Sequence, residues 1–133
     1  ITFRKMRKIV ILTTDTLHHR FFINYLSEKI DFSLILLEEH SSNPAFPVGP
    51  LFDDDEYQYE LHNFFKTISS SLPQKNIKNV ESVNNENSIK ILNDLKPDFG
   101  VVFGTGKISE EVISLFKDGL INVHRGIAEK YRG

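Results

Sequence analysis

The stretch Lys8-Ile9-Val10-Ile11-Leu12-Thr13 decides the fold class. Its apolar run has no alternating polar face, which marks a strand covered on both sides rather than one wetted by solvent. Thr14-Asp15-Thr16 then offers side chains able to cap a helix, and Leu17 to Lys29 reads as that helix. Phe21, Phe22, Tyr25, Leu26 and Ile30 recur there at helical spacing. Ser33 to Leu37 is a second buried strand, closed by Glu38 and Glu39. Strand, helix, strand makes one βαβ unit, the crossover that two parallel strands require.

The same alternation extends outward from this unit. Pro44, Pro47, Gly49 and Pro50 forbid regular structure between His40 and Asp54. A loop of that length inside a compact domain is expected to be functional or disordered. Asp55 to Ile68 resumes helical spacing through Tyr59, Leu61, Phe64, Phe65 and Ile68, Ser69 to Asn76 is a linker, and Asn79 to Val83 is a short edge strand. Ser88 to Leu95 is a helix ended by Lys96-Pro97. Phe99-Gly100-Val101-Val102-Phe103 is another strongly buried strand, after which Gly104-Thr105-Gly106 turns the chain. Ser109, with Glu110 or Glu111 close by, starts a helix through Phe116, and Leu120 to His124 is the last strand. The pattern predicts an α/β fold, a doubly wound, mostly parallel sheet with helices on its faces. Ligands of such sheets bind beyond the carboxyl ends of the strands, where the strand order reverses. Thr13 to Thr16, Glu38 to Asp54, Gly104 to Lys107 and the residues after His124 fall there.

At 133 residues, 40% apolar and 26% charged, the chain fits one domain with an ordinary core. The absence of cysteine excludes disulfides, zinc–thiolate and iron–sulfur centres, and thiol catalysis. Sixteen basic against eighteen acidic residues leave a net charge of −2, without the basic excess of a nucleic-acid binder. No apolar run approaches the ~20 residues that span a bilayer. The run Ile9 to Leu12 is also shorter than a secretory core of ~7–15 residues. A soluble, cytoplasmic protein without a membrane partner is the expectation.

Two motifs fail on spacing. Gly104-Thr105-Gly106-Lys107 lacks the glycine of a phosphate loop at Val101 and its hydroxyl at Ile108, and Ser109 stands where a dinucleotide fingerprint needs glycine. His18 and His19 are adjacent, hence about 100° apart on a helix, and cannot chelate one metal well; a solvated or substrate-facing first turn is expected instead, and no metal. His40 and His62 read as surface residues, Asp53-Asp54-Asp55 as a solvated run that caps a helix, and the phenylalanine pairs 21–22 and 64–65 as core.

Asn122 and His124 lie two residues apart at the end of a predicted buried strand, so both side chains share a face. Taken alone, the pair fits two strand-end groups that satisfy each other as well as it fits a catalytic pair. The wider segment Asp118 to Gly133, with Asn122-Val123-His124 followed by Lys130-Tyr131-Arg132-Gly133, resembles the active-site region of the N10-formyltetrahydrofolate-dependent formyltransferase family. Lys96 to Gly104 is similar to the family's strand before its folate loop, and Asn87-Ser88 before the third helix also fits. The resemblance covers about Asn87 to Gly133 and is topological before that. Arg125 to Glu129 departs from the Pro-Ser-Leu-Leu-Pro that members often carry after the His. The turn after the first strand also lacks the glycine-rich loop of the glycinamide-ribonucleotide branch.

The resemblance implies a Rossmann-like sheet of the formyltransferase type and formyl transfer from N10-formyltetrahydrofolate, the co-substrate, to a primary amine. Asn122 would donate to the formyl oxygen, and His124 would stabilise the oxyanion and assist proton movement, for which an imidazole titrating near ~6.5 is suited. Gly104, Thr105, Gly106, Lys107 and Ile108 would contact the pterin, mostly through backbone groups. Thr14, Asp15, His18, Arg125, Tyr131 and Arg132 would face the amine. The family's third catalytic residue, an Asp beyond the His, has no counterpart, so residues 1–133 are expected to be the N-terminal portion of the catalytic domain, truncated after the fifth strand and inactive alone. The segment Glu38 to Glu60 holds seven acidic residues and no Lys or Arg, which suits RNA phosphates poorly. A small-molecule amine on an amino-sugar nucleotide is therefore the expected substrate, with nucleic acid not expected. A methionyl-tRNA formyltransferase, a formylfolate hydrolase of the same family, and a non-catalytic α/β ligand-binding module are the alternatives.

Overall fold

The computed structural model describes residues 5–39, 54–65, 72, 76–127 and 129–130. Five strands, β1 (Ile9–Thr14), β2 (Leu34–Glu38), β3 (Ile77–Val80), β4 (Phe99–Phe103) and β5 (Leu120–Asn122), form one sheet in the order β3-β2-β1-β4-β5. Every pairing is parallel. The helices between them are α1 (Leu17–Ser27), α2 (Asp54–Asn63), α3 (Glu86–Leu95) and α4 (Glu110–Ser114). The chain builds outward from β1 through β2 to β3, then returns to lay β4 on the other side of β1. The strand order therefore reverses between β1 and β4.

The unbroken apolar run of β1 is explained by its central place. Val10 and Leu12 pack with Leu34, Leu36, Val102, Leu92, Val112 and Phe116 in one core cluster on the α3–α4 side. Ile11, from the other face of the pleat, packs with Ile23, Phe32, Ile35 and Leu37 on the α1 side. Val10, Ile11 and Leu12 are all fully buried.

The helices begin where side chains satisfy their free N–H groups. Thr16 caps α1 by accepting from the His19 N–H, Asn85 caps α3 by accepting from the Ser88 N–H at 2.9 Å, and Ser109 caps α4 by accepting from the Val112 N–H. Because Asn85 is the cap, α3 starts two residues before the expected Ser88, and Asn87-Ser88 lies inside it. Lys96 closes α3 in the left-handed region (φ 54°) ahead of Pro97.

Several expectations are corrected. Glu38 belongs to β2 and is buried, rather than closing the strand. The edge strand starts at Ile77 and ends at Val80, and α2 ends at Asn63. Phe21 and Phe64 are exposed, while Phe22 and Phe65 are half-buried, so each pair puts only one ring toward the protein. Phe21 instead lies 5.8 Å from Phe65, ring to ring, which ties the first turns of α1 to the end of α2. Strand β5 is three residues long and not buried, because it pairs only with β4 and has its outer edge open among the described residues. The irregular segment His40 to Asp53, and most of the predicted linker Ser69 to Asn76, lie outside the described residues.

Candidate functional site

The carboxyl ends of β1, β4 and β5 bring the predicted site residues to one rim of the sheet. Register sets Thr13 beside Phe103 and Val102 beside Asn122, and the Val123 N–H donates to the Val102 carbonyl at 2.8 Å. His124 follows at the level where β4 gives way to its turn. Asn122 and His124 are both exposed, which corrects the expectation of a buried polar pair. Among the described residues no hydrogen bond joins them. His124 Nδ1 lies 3.1 Å from the Gly126 carbonyl oxygen. A carbonyl only accepts, so Nδ1 is the donor in this contact.

The turn after β4 is set by Gly104, whose φ of +79° is one that residues with a Cβ adopt at a cost. Gly104 and Lys107 are exposed; Thr105, Gly106 and Ile108 are half-buried. The half-buried Ile108 side chain packs against the α3–α4 core. Asn84 holds the far end of the turn: its Nδ2 donates to the Lys107 carbonyl and its Oδ1 accepts from the Ser109 N–H, both at 2.8 Å. Among the described residues the Thr105 and Gly106 N–H groups donate to no protein acceptor. The Thr105 and Gly106 N–H groups of this glycine turn are thus open to acceptors from outside the described residues.

On the β1 side, the predicted amine contacts divide. Asp15 is exposed but engaged in a bidentate pair with Arg20, at 2.5 and 2.9 Å, and that guanidinium holds its carboxyl below the usual carboxylate value. Thr14 is buried, its hydroxyl 2.7 Å from His19 Nδ1. His18 is half-buried, with Nδ1 3.8 Å from Glu60 Oε2 on α2. Burial, then the positive charge of Arg125, push the His18 pKa down, while Glu60 pushes it up. Arg125 is exposed. Tyr131 and Arg132 lie outside the described residues.

His19 is the residue that the sequence reading missed. A solvated or substrate-facing first turn was the expectation, yet His19 is only 4% exposed. Its ring stands edge-on to Phe103 at 4.5 Å and to His18 at 4.4 Å. Burial, then His18 and Arg125, drive its pKa down to about 4 against the opposing pull of Thr14 and Asp15, so the ring is neutral at pH 7. The available signal was spacing: His19, Phe22, Ile23 and Leu26 fall on one stripe of α1, facing the sheet. Among the described residues no group of three or more His, Asp or Glu side chains could hold a metal ion. No helix among them is long and apolar enough to cross a membrane.

No protein-family model matches the chain. Among curated proteins it is 40% identical over 68 residues to the methionyl-tRNA formyltransferase of Borreliella burgdorferi (strain ZS7), a match covering 50% of the chain and 22% of that enzyme. It is 26% identical over 107 residues to the one from Finegoldia magna, covering 77% and 34% respectively. The enzyme of Thermodesulfovibrio yellowstonii is 41% identical over 54 residues, 40% of the chain and 18% of the relative. The chain thus spans about a fifth to a third of the length of these curated relatives.

All three relatives are formyltransferases by name.

That similarity supports the formyltransferase family and, with the all-parallel sheet, the Rossmann-like fold. It gives the amino-sugar branch no support. It also overturns the expectation of a small-molecule amine partner without nucleic acid, because these relatives are named for methionyl-tRNA. A net charge summed over a segment equal to a fifth to a third of such a relative samples only a minor share of that enzyme's surface, so it does not report on RNA contacts made elsewhere.

Proposed function

We propose that this chain forms part of the catalytic domain of a cytoplasmic methionyl-tRNA formyltransferase and carries its formyl-transfer site. The observation that carries the reading is the similarity to enzymes of that name, over a chain that folds into the sheet the family resemblance implies. N10-formyltetrahydrofolate, when bound, supplies the formyl group. Gly104, Thr105, Gly106, Lys107 and Ile108 hold it, through the free N–H groups of the turn. Asn122 donates its amide hydrogen to the formyl oxygen, and most strongly as that oxygen gains negative charge. His124, with Nδ1 held by the Gly126 carbonyl, presents Nε2 to take up the proton that the attacking amine loses and to pass it to the N10 nitrogen, which leaves as its bond to the formyl carbon breaks. The exposure of Asn122 and His124 suits an acceptor that must enter from solvent, attached to a large RNA. Arg125 supplies positive charge next to His124, and Tyr131 and Arg132, which follow in the sequence, are residue types suited to the phosphates and stacked bases of an aminoacylated RNA end. Thr14, Asp15 and His18 border the same crevice on the amine side.

The test is to incubate the complete natural polypeptide with N10-formyltetrahydrofolate and methionyl-tRNA and to follow formylmethionine by mass spectrometry of the hydrolysed product. Formyl on the methionine amino group is the expected result. Consumption of the formylfolate with free formate as product and an unmodified tRNA overturns the reading.

A further inference from the structure

His19 is a buried polar side chain that the proposed chemistry does not use, and its three edges account for its place. Nδ1 meets the Thr14 hydroxyl at 2.7 Å, at the last residue of β1. The adjoining Cε1–Nε2 edge lies directly against Gly104, so closely that a Cβ at that residue would overlap the ring. The Phe103 ring closes a third side at 4.5 Å, and Phe22 backs Phe103 at 4.7 Å. A second link runs parallel to the first: the Thr13 hydroxyl donates to the Phe103 carbonyl at 2.6 Å. Both ties join β1 to the residues at which β4 ends and the Gly104 turn begins.

We infer that His19 is a positioning residue for the β4 turn: wedged between Thr14 and Gly104, its ring sets where residues 104–108 stand above the point at which the strand order reverses. The inference rests on the reading of that turn as the formylfolate-binding segment. The glycine has two physical reasons at this position, the positive φ and the space the imidazole occupies. The imidazole in turn has the turn's backbone as its packing partner. Loss of the ring opens a void under Gly104, and the near end of the turn, held at Phe103 while Asn84 and the packed Ile108 hold the far end, drops or samples several positions. A displacement of that kind, about 1 Å, is enough to cost tenfold or more in the use of the ligand the turn holds.

The experiment uses the complete natural polypeptide with His19→Ala, Gly104→Ala, the double variant and Thr14→Val. Two quantities are read: hydrogen–deuterium exchange of the ligand-free segment 103–109, and the KM for N10-formyltetrahydrofolate beside kcat. His19→Ala is expected to accelerate exchange in 103–109 and to raise that KM about tenfold, with the KM for methionyl-tRNA unchanged. A variant that is only less stable loses active fraction, hence kcat, at an unchanged KM, and that result overturns the inference. Gly104→Ala raises the KM as well, and the double variant regains part of the loss because the overlap is gone. Thr14→Val, the mildest change, shifts both quantities in the same direction, and it decides the question if His19→Ala does not fold. Unaltered exchange in 103–109 in a folded variant overturns the inference. If the wild-type protein neither binds nor uses formylfolate, the folate reading of the turn fails, and the exchange data alone then judge whether His19 positions it.

Discussion

Glu38, the last residue of β2, accepts the backbone N–H of Val83 through Oε2 at 2.8 Å, with both residues buried. The carboxylate thereby fixes the turn that leads from β3 into α3. The neighbouring Asn84 grips the Lys107 carbonyl and the Ser109 N–H. A side chain at one end of the sheet thus supports, through two links, the turn that borders the candidate site.

Removing that acceptor leaves the Val83 N–H buried without a partner. Glu38→Ala is expected to cost about 1–3 kcal/mol, and Glu38→Gln, which keeps an oxygen there, less. Urea unfolding followed by circular dichroism measures both. Equal losses for the two variants would mean that the bond to Val83 is not what Glu38 contributes.

Asn84→Ala breaks two hydrogen bonds to the β4–α4 connection without touching the core. About 1–2 kcal/mol of stability is expected to go, together with protection of the Ser109 amide against exchange. Native-state hydrogen exchange would register this directly. A Ser109 amide as protected as in the wild type would assign its protection to α4 alone.

Asn122 and His124 are exposed, so truncating either should leave stability within about 0.5 kcal/mol. If they act as proposed, Asn122→Ala lowers kcat by about 10²–10³-fold, the usual cost of one donor to a developing oxyanion. Thermal unfolding and steady-state formylation, run on the same preparations, separate the two effects. Lost folding at retained specific activity would make the pair structural.

The buried imidazole gives stability a pH dependence of known sign. His19 ordinarily would titrate near 6.5 and in the fold does so at about 4. Between those values the unfolded chain binds more protons than the folded one, so stability is intact above about 6.5 and falls as pH drops toward 4. His18, whose pKa is also lowered, adds in the same direction. The melting temperature of wild type relative to His19→Gln should therefore shrink across that window by on the order of 5 °C. A pH-independent difference would show that the ring is solvated.

The layering of this protein is written in local patterns. An unbroken apolar run such as Ile9 to Leu12 has no wet face, so it must be a central strand, and helices between such runs force parallel pairing. Capping side chains at Thr16 and Ser109 likewise announce helix starts, because the free N–H groups they satisfy are local. The placement of the Asn-x-His pair and the glycine turn at one rim of the sheet was legible for the same reason: both stand at the ends of recognisable strands. Burial was not legible in this way. Leu120-Ile121-Asn122 looks as apolar as an interior strand, yet lies at the sheet edge with Ile121 54% exposed. Histidine 19 looks like a surface helix residue, yet is enclosed by Thr14, Phe103 and Gly104, the last two more than eighty residues away along the chain. Which neighbour covers a side chain depends on strand order, and strand order is settled by packing between distant segments rather than by any one of them.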